Sequence, residues 1–396
     1  MKMFYQFAER LTTQITDWLE THWVTPAFAG WLLGGLALFY FAAGTNTMAG
    51  WLYAISGISL AILGIAMTLP IRTLRPLQVR RRPIEPVSVG DQLSIEIEIE
   101  NPTEQTKTLL QVYDIFPYVL GQPKPVAVEA IPPQGIHHLV YYHPTERRGV
   151  YRWDEIHLRT AAPLGLFWCR RSRQAKATAI VYPTVFPLKV CPLVDEMGKE
   201  DSALLYSDRR QQLGTEGITR TLRPYRFGDP IRLIHWRTSA RYGEMRVREL
   251  EISTGGQQIV ISLDSAGSWQ QDDFEAAVIA AASLYFYASR AGLNASVWTA
   301  QTGLIQGHQV VLETLAATSA GEDPPPNGLP EMPLIWLTQN PVSLSSLPPG
   351  SRWLLWPAAA SLPQEENTII KRDRPGIEIR PDRALDLQLQ EPLSRF

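Results

Sequence analysis

Val24–Gly44 reads VTPAFAGWLLGGLALFYFAAG and Gly50–Leu69 reads GWLYAISGISLAILGIAMTL, and no Asp, Glu, Lys or Arg occurs between Glu20 and Arg72. Each stretch supplies the roughly 20 apolar residues that cross about 30 Å of hydrocarbon at 1.5 Å per residue. Helices of a water-soluble core rarely stay uncharged over that length twice in succession, and a repeated stretch this long does not suit a cleaved signal peptide. Residues 24–71 therefore read as a transmembrane α-hairpin with Thr45-Asn46-Thr47 at its tip. Arg72, Arg75, Arg80, Arg81 and Arg82 follow at once, with no acidic residue among them. By the positive-inside rule both flanks, and with them the N- and C-termini, lie on the cytoplasmic side of a plasma (inner) membrane. Arginines at that depth are also within reach of anionic headgroups.

Upstream, Phe4, Phe7, Leu11, Ile15 and Trp18 recur at helical spacing among Glu9, Arg10, Gln14 and Asp17. Residues 1–23 thus read as an amphipathic helix, either lying at the membrane interface or packed on the soluble part. Within the first span, Gly30-x-x-x-Gly34 offers a place for close helix contact.

Downstream the period falls to two. Ser94–Glu100 (SIEIEIE) puts Ile95, Ile97 and Ile99 on one face and Glu96, Glu98 and Glu100 on the other, a half-buried strand with a solvated acidic side, stopped by Asn101-Pro102. Short strands at Leu109–Tyr113, Val126–Ala130, His137–Tyr142, Ile156–Arg159 and Thr178–Tyr182, separated by turns such as Pro132-Pro133-Gln134-Gly135, predict an antiparallel β-sandwich over residues 76–190.

Residues 191–255 read as a linker followed by an arginine-rich segment. Asp229-Pro230 is a helix-start signal and Tyr242-Gly243 a helix stop, which predicts a helix over Pro230–Arg241 and a short strand around Met245, Val247 and Leu250. Arginine is dense here and lysine absent, and a guanidinium is a planar fork suited to carboxylate or phosphate. Arg237 and Arg241, four apart, share a helix face. Two readings stand side by side: an anion, phosphate or acidic-partner site, or internal pairing with Glu216, Asp229, Glu244, Glu249 and Glu251 that fixes the join between domains. His235 is a conceivable general base, but no activated nucleophile accompanies it, and the expectation is a structural histidine.

From 256 to 396 strands and helices alternate. Gln258–Leu263 (QIVISL) is an apolar run ending at Asp264, Asp273 can cap a helix over Phe274–Arg290, and Asn294–Thr299, Leu334–Leu337 and Trp353–Trp356 read as further strands, with a proline-rich loop over Asp323–Pro330. This predicts a doubly wound α/β domain with Asp264 at the carboxyl end of its first strand, where ligands of such sheets sit.

The totals narrow the function. A chain of 396 residues is several domains, and its net charge of -2 argues against a general nucleic-acid binder. Two cysteines, Cys169 and Cys191, are too few for a disulfide framework and match no metal spacing.

The stretch Arg223-Pro-Tyr-Arg-Phe-Gly-Asp-Pro-Ile-Arg-Leu-Ile-His-Trp-Arg-Thr-Ser-Ala-Arg, with Val247-Arg-Glu beyond it, closely resembles the signature of the bacterial "domain of unknown function 58" family. Arg147-Arg-Gly-Val-Tyr and Pro163-Leu-Gly-Leu-Phe resemble the same family's β-domain. The resemblance implies a β-sandwich followed by a degenerate von Willebrand factor type A-like domain, a membrane-tethered non-enzymatic scaffold, and partnership with a MoxR-type AAA+ ATPase that assembles complexes or serves the envelope. The candidate binding residues it marks are Arg223, Tyr225, Gly228, Asp229, Arg232, Trp236, Ser239, Arg241 and Arg248; the alternative is an anionic-ligand-binding protein or enzyme using Arg223–Arg241. An intact type A metal site reads Asp-x-Ser-x-Ser, oxygen ligands suited to Mg²⁺. Here Asp264-Ser265-Ala266-Gly267-Ser268 has lost the middle serine, and Thr338-Gln339-Asn340 stands where Thr-Asp-Gly belongs. The expectation is no metal and no cofactor, with lipid and protein as partners.

Overall fold

The computed structural model describes residues 16–122, 124–197, 218–226, 231, 234–251, 258–323, 328–357 and 374–393. The chain divides into two compact units, 1–146 with 150–179 and 147–149 with 180–396.

In the first unit, residues 16–22 are helical (α1), and the rest of the proposed amphipathic helix lies outside the described residues. A two-residue strand β1 (Thr25–Pro26) leads into helices α2 (Phe28–Thr47) and α3 (Gly50–Leu74). Both are long and apolar enough to cross a membrane. Their outward faces carry Trp31, Leu38, Phe39, Trp51, Ile58 and Ile65, all exposed. Within α2, Gly30, Ala37 and Gly44 are buried, one every seven residues. A Cβ on Gly44 would crowd Leu52 and Tyr53, and Ser56 Oγ donates to the Ala37 carbonyl at 2.8 Å. Small residues let the two backbones approach. The close approaches to α3 are at Ala37 and Gly44; Gly34 has only ordinary clearance to Leu63 of α3, and Gly30 instead abuts the Leu166 carbonyl, which a Cβ there would overlap.

The sandwich has one sheet β2 (Gln78–Arg81), β4 (Gln92–Glu100) and β7 (Ile136–Pro144) in the order β2-β4-β7. The other runs β1-β9-β8-β5-β6, with β5 (Lys107–Ile115), β6 (Val126–Ile131), β8 (Gly149–Thr160) and β9 (Phe167–Tyr182), and β3 (Val87–Ser88) pairs with β9. Neighbours β2/β4, β4/β7, β5/β6 and β5/β8 are antiparallel. Leu93, Ile95, Ile97 and Ile99 of β4 are buried as their alternation requires. The glutamate face is not merely solvated: Arg82 reaches Glu98 at 2.7 Å and Glu96 at 3.2 Å.

Hairpin and sandwich share one core, in which Leu74 and Leu77 belong with Ile95, Leu110 and Ile156. Two arginines two residues apart on β9 close the helix ends. Arg173 donates to the carbonyls of Leu74 (2.7 Å), Leu77 (3.0 Å) and Arg75 (3.2 Å) beyond α3. Arg171 donates to those of Thr21 (2.6 Å), Glu20 (3.2 Å) and Trp23 (3.2 Å) at the end of α1. The last carbonyls of a helix have no intrahelical donor and carry the negative end of its dipole, so a guanidinium there satisfies both.

The second unit is built on one eight-stranded sheet. Its strands are β10 (Ile218–Pro224), β11 (Arg246–Glu251), β12 (Gln258–Leu263), β13 (Asn294–Thr299), β14 (Gly303–Ile305), β15 (Leu334–Thr338), β16 (Arg352–Leu355) and β17 (Gly376–Glu378), in the order β11-β10-β14-β13-β12-β15-β16-β17. Five run parallel, β13-β12-β15-β16-β17, and β14 is antiparallel to β13. Helices include residues 192–197 (α4), α5 (Trp236–Tyr242), α6 (Gln271–Arg290) and α7 (His308–Ala317). Ile259, Ile261 and Leu263 of β12 pack with Ala277, Ala281 and Leu284 of α6. The other face meets a tryptophan layer of Trp298, Trp336 and Trp353, so this strand is buried on both sides, as a continuous apolar run in a parallel sheet must be.

Two boundaries move. The segment read as a linker and arginine-rich signature, 191–255, contributes β10 and the expected strand β11 to this sheet, with α5 between them, because the β10–β11 ladder leaves β10 an edge that β14 takes up. The helix expected over Pro230–Arg241 begins at Trp236. His235 caps it, Nδ1 accepting from the Thr238 amide at 3.2 Å, while the Gly243 stop stands at φ 74°. The Asp229-Pro230 start signal itself lies outside the described residues.

Candidate functional site

Among the marked residues, Gly228, Asp229 and Arg232 lie outside the described residues, as does the Arg248 side chain. The ladder sets Arg223 opposite Val247 and Arg248 opposite Leu222. The Tyr225 amide donates to the Met245 carbonyl at 2.8 Å, and the His235 amide to that of Arg246 at 2.9 Å. Trp236, first in α5, is exposed.

The polar groups that might do chemistry are engaged by the backbone. Ser239 is buried, its Oγ donating to the His235 carbonyl at 2.9 Å and accepting from the Arg246 amide at 2.8 Å. Because His235 accepts at Nδ1, a neutral ring carries its proton on Nε2. Neither residue is placed as a base beside a nucleophile.

Arginines of this region meet carboxylates of the same unit. Arg246 forks between Glu244 (2.9 Å) and Glu313 of α7 (3.0 Å), its guanidinium 4.1 Å from the Tyr242 ring centroid. Tyr242 donates to the Glu313 carbonyl at 3.2 Å, and burial, with Glu313 beside it, pushes its phenol well up. Burial and Glu313 likewise raise Tyr182 to about 12. Arg241 lies 3.7 Å from Glu322, a buried carboxylate that also accepts from the Gln301 amide at 3.2 Å. Arg226 and Arg237 are exposed.

Reading the sequence missed Arg148, although its stretch had been singled out. It belongs to the second unit, donates two parallel hydrogen bonds to Glu275 (2.8 and 3.0 Å), and donates to the Leu315 and Thr318 carbonyls, the latter at 2.9 Å. The available signal was a pair of arginines before a glycine; the partner 127 residues away carried none.

At the carboxyl end of β12, Asp264 Oδ2 accepts from the Thr338 hydroxyl at 2.6 Å, and burial raises its pKa, opposed by that hydroxyl and by the Gly267 amide. Ser265 is buried and accepts from the Ala300 amide, and Ser268 is exposed. Trp269 packs edge-on against Phe274 and Trp356 beside this crevice, and Gln339 bonds Asp273 at 2.7 Å. With one hydroxyl (Ala266 in place of the middle serine) and the second carboxylate missing, the site falls short of the oxygen shell a hard dication takes, and among the described residues no group of three His, Cys, Asp or Glu could hold a metal. These residues do not fit a magnesium site.

Residues 221–314, which run from β10 into α7, match the family described as "Protein of unknown function DUF58". This stretch belongs to the DUF58 family. The DUF58 segment therefore holds α5, β11, β12 and α6 together with Arg241, Arg246 and Asp264. Comparison with curated proteins gives no match. Among solved structures, the CARDB domain of a Pyrococcus furiosus protein is 15% identical, covering 27% of this chain and 94% of its own, at a TM-score of 0.20. Red sea bream transglutaminase is 14% identical over 27% of this chain and 15% of its own, at 0.21. A β-glucosidase from Listeria innocua is 11% identical over 25% and 16%, at 0.16. Scores of this size carry no argument about fold or activity.

Proposed function

We propose that the chain is a membrane-anchored, non-enzymatic scaffold that presents its sandwich and its α/β domain to protein partners on the cytoplasmic side of the plasma membrane. The observation that carries this reading is the hairpin. It keeps a long uncharged surface turned outward while its roots are built into the sandwich core and closed by Arg171 and Arg173. A surface of that kind is stable in lipid and not in water. The engagement of His235 and Ser239 by the backbone supports a role in binding over one in turnover. The order of strands supports a von Willebrand factor type A-like domain: counted from β12, it reads 3-2-1-4-5-6 with the third strand reversed. By resemblance, the partner is a MoxR-type AAA+ ATPase.

Two measurements test this. Protease added outside sealed right-side-out vesicles should leave both units intact, and inverted vesicles should lose them; a full-length chain left in a carbonate-washed supernatant contradicts the anchor. Purification from detergent extracts should recover an AAA+ ATPase in proportion to the chain, and repeated recovery of none removes that partner. The exposed Arg237 favours one second reading, an anion receptor. Titration with inorganic phosphate that does not shift its side-chain NMR signal excludes it.

A further inference from the structure

The two sheets of the sandwich end on the same open side. Among the described residues β7 pairs with β4 alone and β6 with β5 alone. Natural edge strands are usually shielded by charge, proline, a bulge or shortness. Over Ile136–His143 β7 has eight residues with no Asp, Glu, Lys, Arg or Pro, in unbroken register with β4. Its outer face shows Ile136, Val140 and Tyr142, exposed by 52%, 47% and 64%.

Between these two edges opens a cavity of about 160 Å³, walled by Ile97, Val112, Val126 and Leu139, with Asp114 and Tyr141 among its polar lining. An apolar protein cavity of roughly 150 Å³ accommodates a benzene ring. The Tyr141 hydroxyl donates to Asp114 Oδ2, so this pair offers acceptor oxygens to an incoming group, with Gln122, Lys124 and His143 elsewhere in the lining. A phenol or an indole, apolar in body and bearing one donor, fits both the size and the polarity.

We propose that β7 is a strand-addition site for an extended segment of a partner protein, which pairs with the free edge and inserts a Tyr or Trp side chain between the sheets. Main-chain pairing supplies the affinity and the cavity the selectivity, since alternate side chains of an added strand point to one face. A second copy of the chain does not meet the requirement. Pairing β7 with β7 brings a Tyr141 whose hydroxyl is already held by its own Asp114. The inference rests on the scaffold reading only in requiring a protein partner.

The full-length chain carrying the photo-cross-linker p-benzoyl-phenylalanine in place of Tyr142 is irradiated in native membranes. The expected product is an adduct with one short segment of another polypeptide that contains Tyr or Trp. A second variant, Val140→Lys, places a shielding charge on an exposed edge position. It should keep the melting temperature and lower the adduct at least about tenfold, the loss expected where an edge charge blocks pairing. Adducts only with a second copy, only with lipid, or none at all overturn the proposal, as does an adduct undiminished by Val140→Lys. A cross-linked partner that is not an ATPase keeps the strand-addition site and removes the ATPase; an ATPase that co-purifies without cross-linking does the reverse.

Discussion

Arginine does different work in different parts of the molecule. In the sandwich core one is driven inside. Arg81, with no side-chain surface exposed, is bonded to Asp114 and to the Ala175 carbonyl, and donates to that of Glu155 at 3.2 Å. Asp114 also accepts from Trp153 Nε1 at 2.8 Å and from Tyr141. Desolvation pulls the Arg81 pKa down, with Asp114 opposing it, and burial together with Asp114 pushes Tyr141 far up. In the DUF58 segment Arg241 and Arg246 stay partly in water on glutamates. The two arrangements teach that the number of ion pairs says little; what decides their weight is whether loss of one partner strands the other away from solvent.

The sharpest way to break this comparison is Asp114→Ala. It leaves Arg81 charged and dry and should cost about 3–5 kcal/mol of stability, read as a lowered denaturant midpoint of the full chain in detergent. A loss near that of a surface pair contradicts the buried-cluster account. Arg173→Ala comes next. Three carbonyls at the foot of α3 lose their donor, for about 1–3 kcal/mol, and limited proteolysis should cut between Leu74 and Leu77 before any site in the sandwich. Arg241→Ala should cost about 1 kcal/mol in the melting curve, because Arg241 itself is partly in water and the buried Glu322 keeps the Gln301 (3.2 Å) and Ser319 (3.4 Å) amides as donors. A larger loss would move this segment into the class of the sandwich core.

The smallest effect is a trend with pH. Burial raises the Asp264 pKa above its unfolded value. The folded state therefore binds this proton more tightly than the unfolded chain, and the carboxyl opposes folding increasingly as pH climbs from the unfolded pKa through the folded one. Asp264→Asn removes that term. Its melting temperature relative to the parent should rise from acidic to neutral pH and then level off, unaltered by Mg²⁺; a Mg²⁺-dependent rise in the parent alone would contradict the misfit of the metal site.

How much could be read in advance follows from the range of each signal. The alternation of Ile95, Ile97 and Ile99 and the stop at Gly243 act over a few residues, and both are where the pattern places them. The start at Trp236 was not legible because His235 is an unusual cap, and the Asp229-Pro230 signal lies outside the described residues. The site residues fared unevenly: Ser239 and His235 turned out to hold backbone, which no spacing reveals, since their partners are the amides of Arg246 and Thr238.

By itself the sequence determined the two long uncharged helices, the change of period from hairpin to sandwich, and the arginine-rich signature, because hydropathy and periodicity are properties of adjacent residues. Only the tertiary structure decided what the arginines do. Arg81 with Asp114, Arg173 with the foot of α3, and Arg148 with Glu275 join positions 33, 99 and 127 residues apart. The energy of such a pair depends on how much water the fold removes around it, which is fixed when the sheets close and not before.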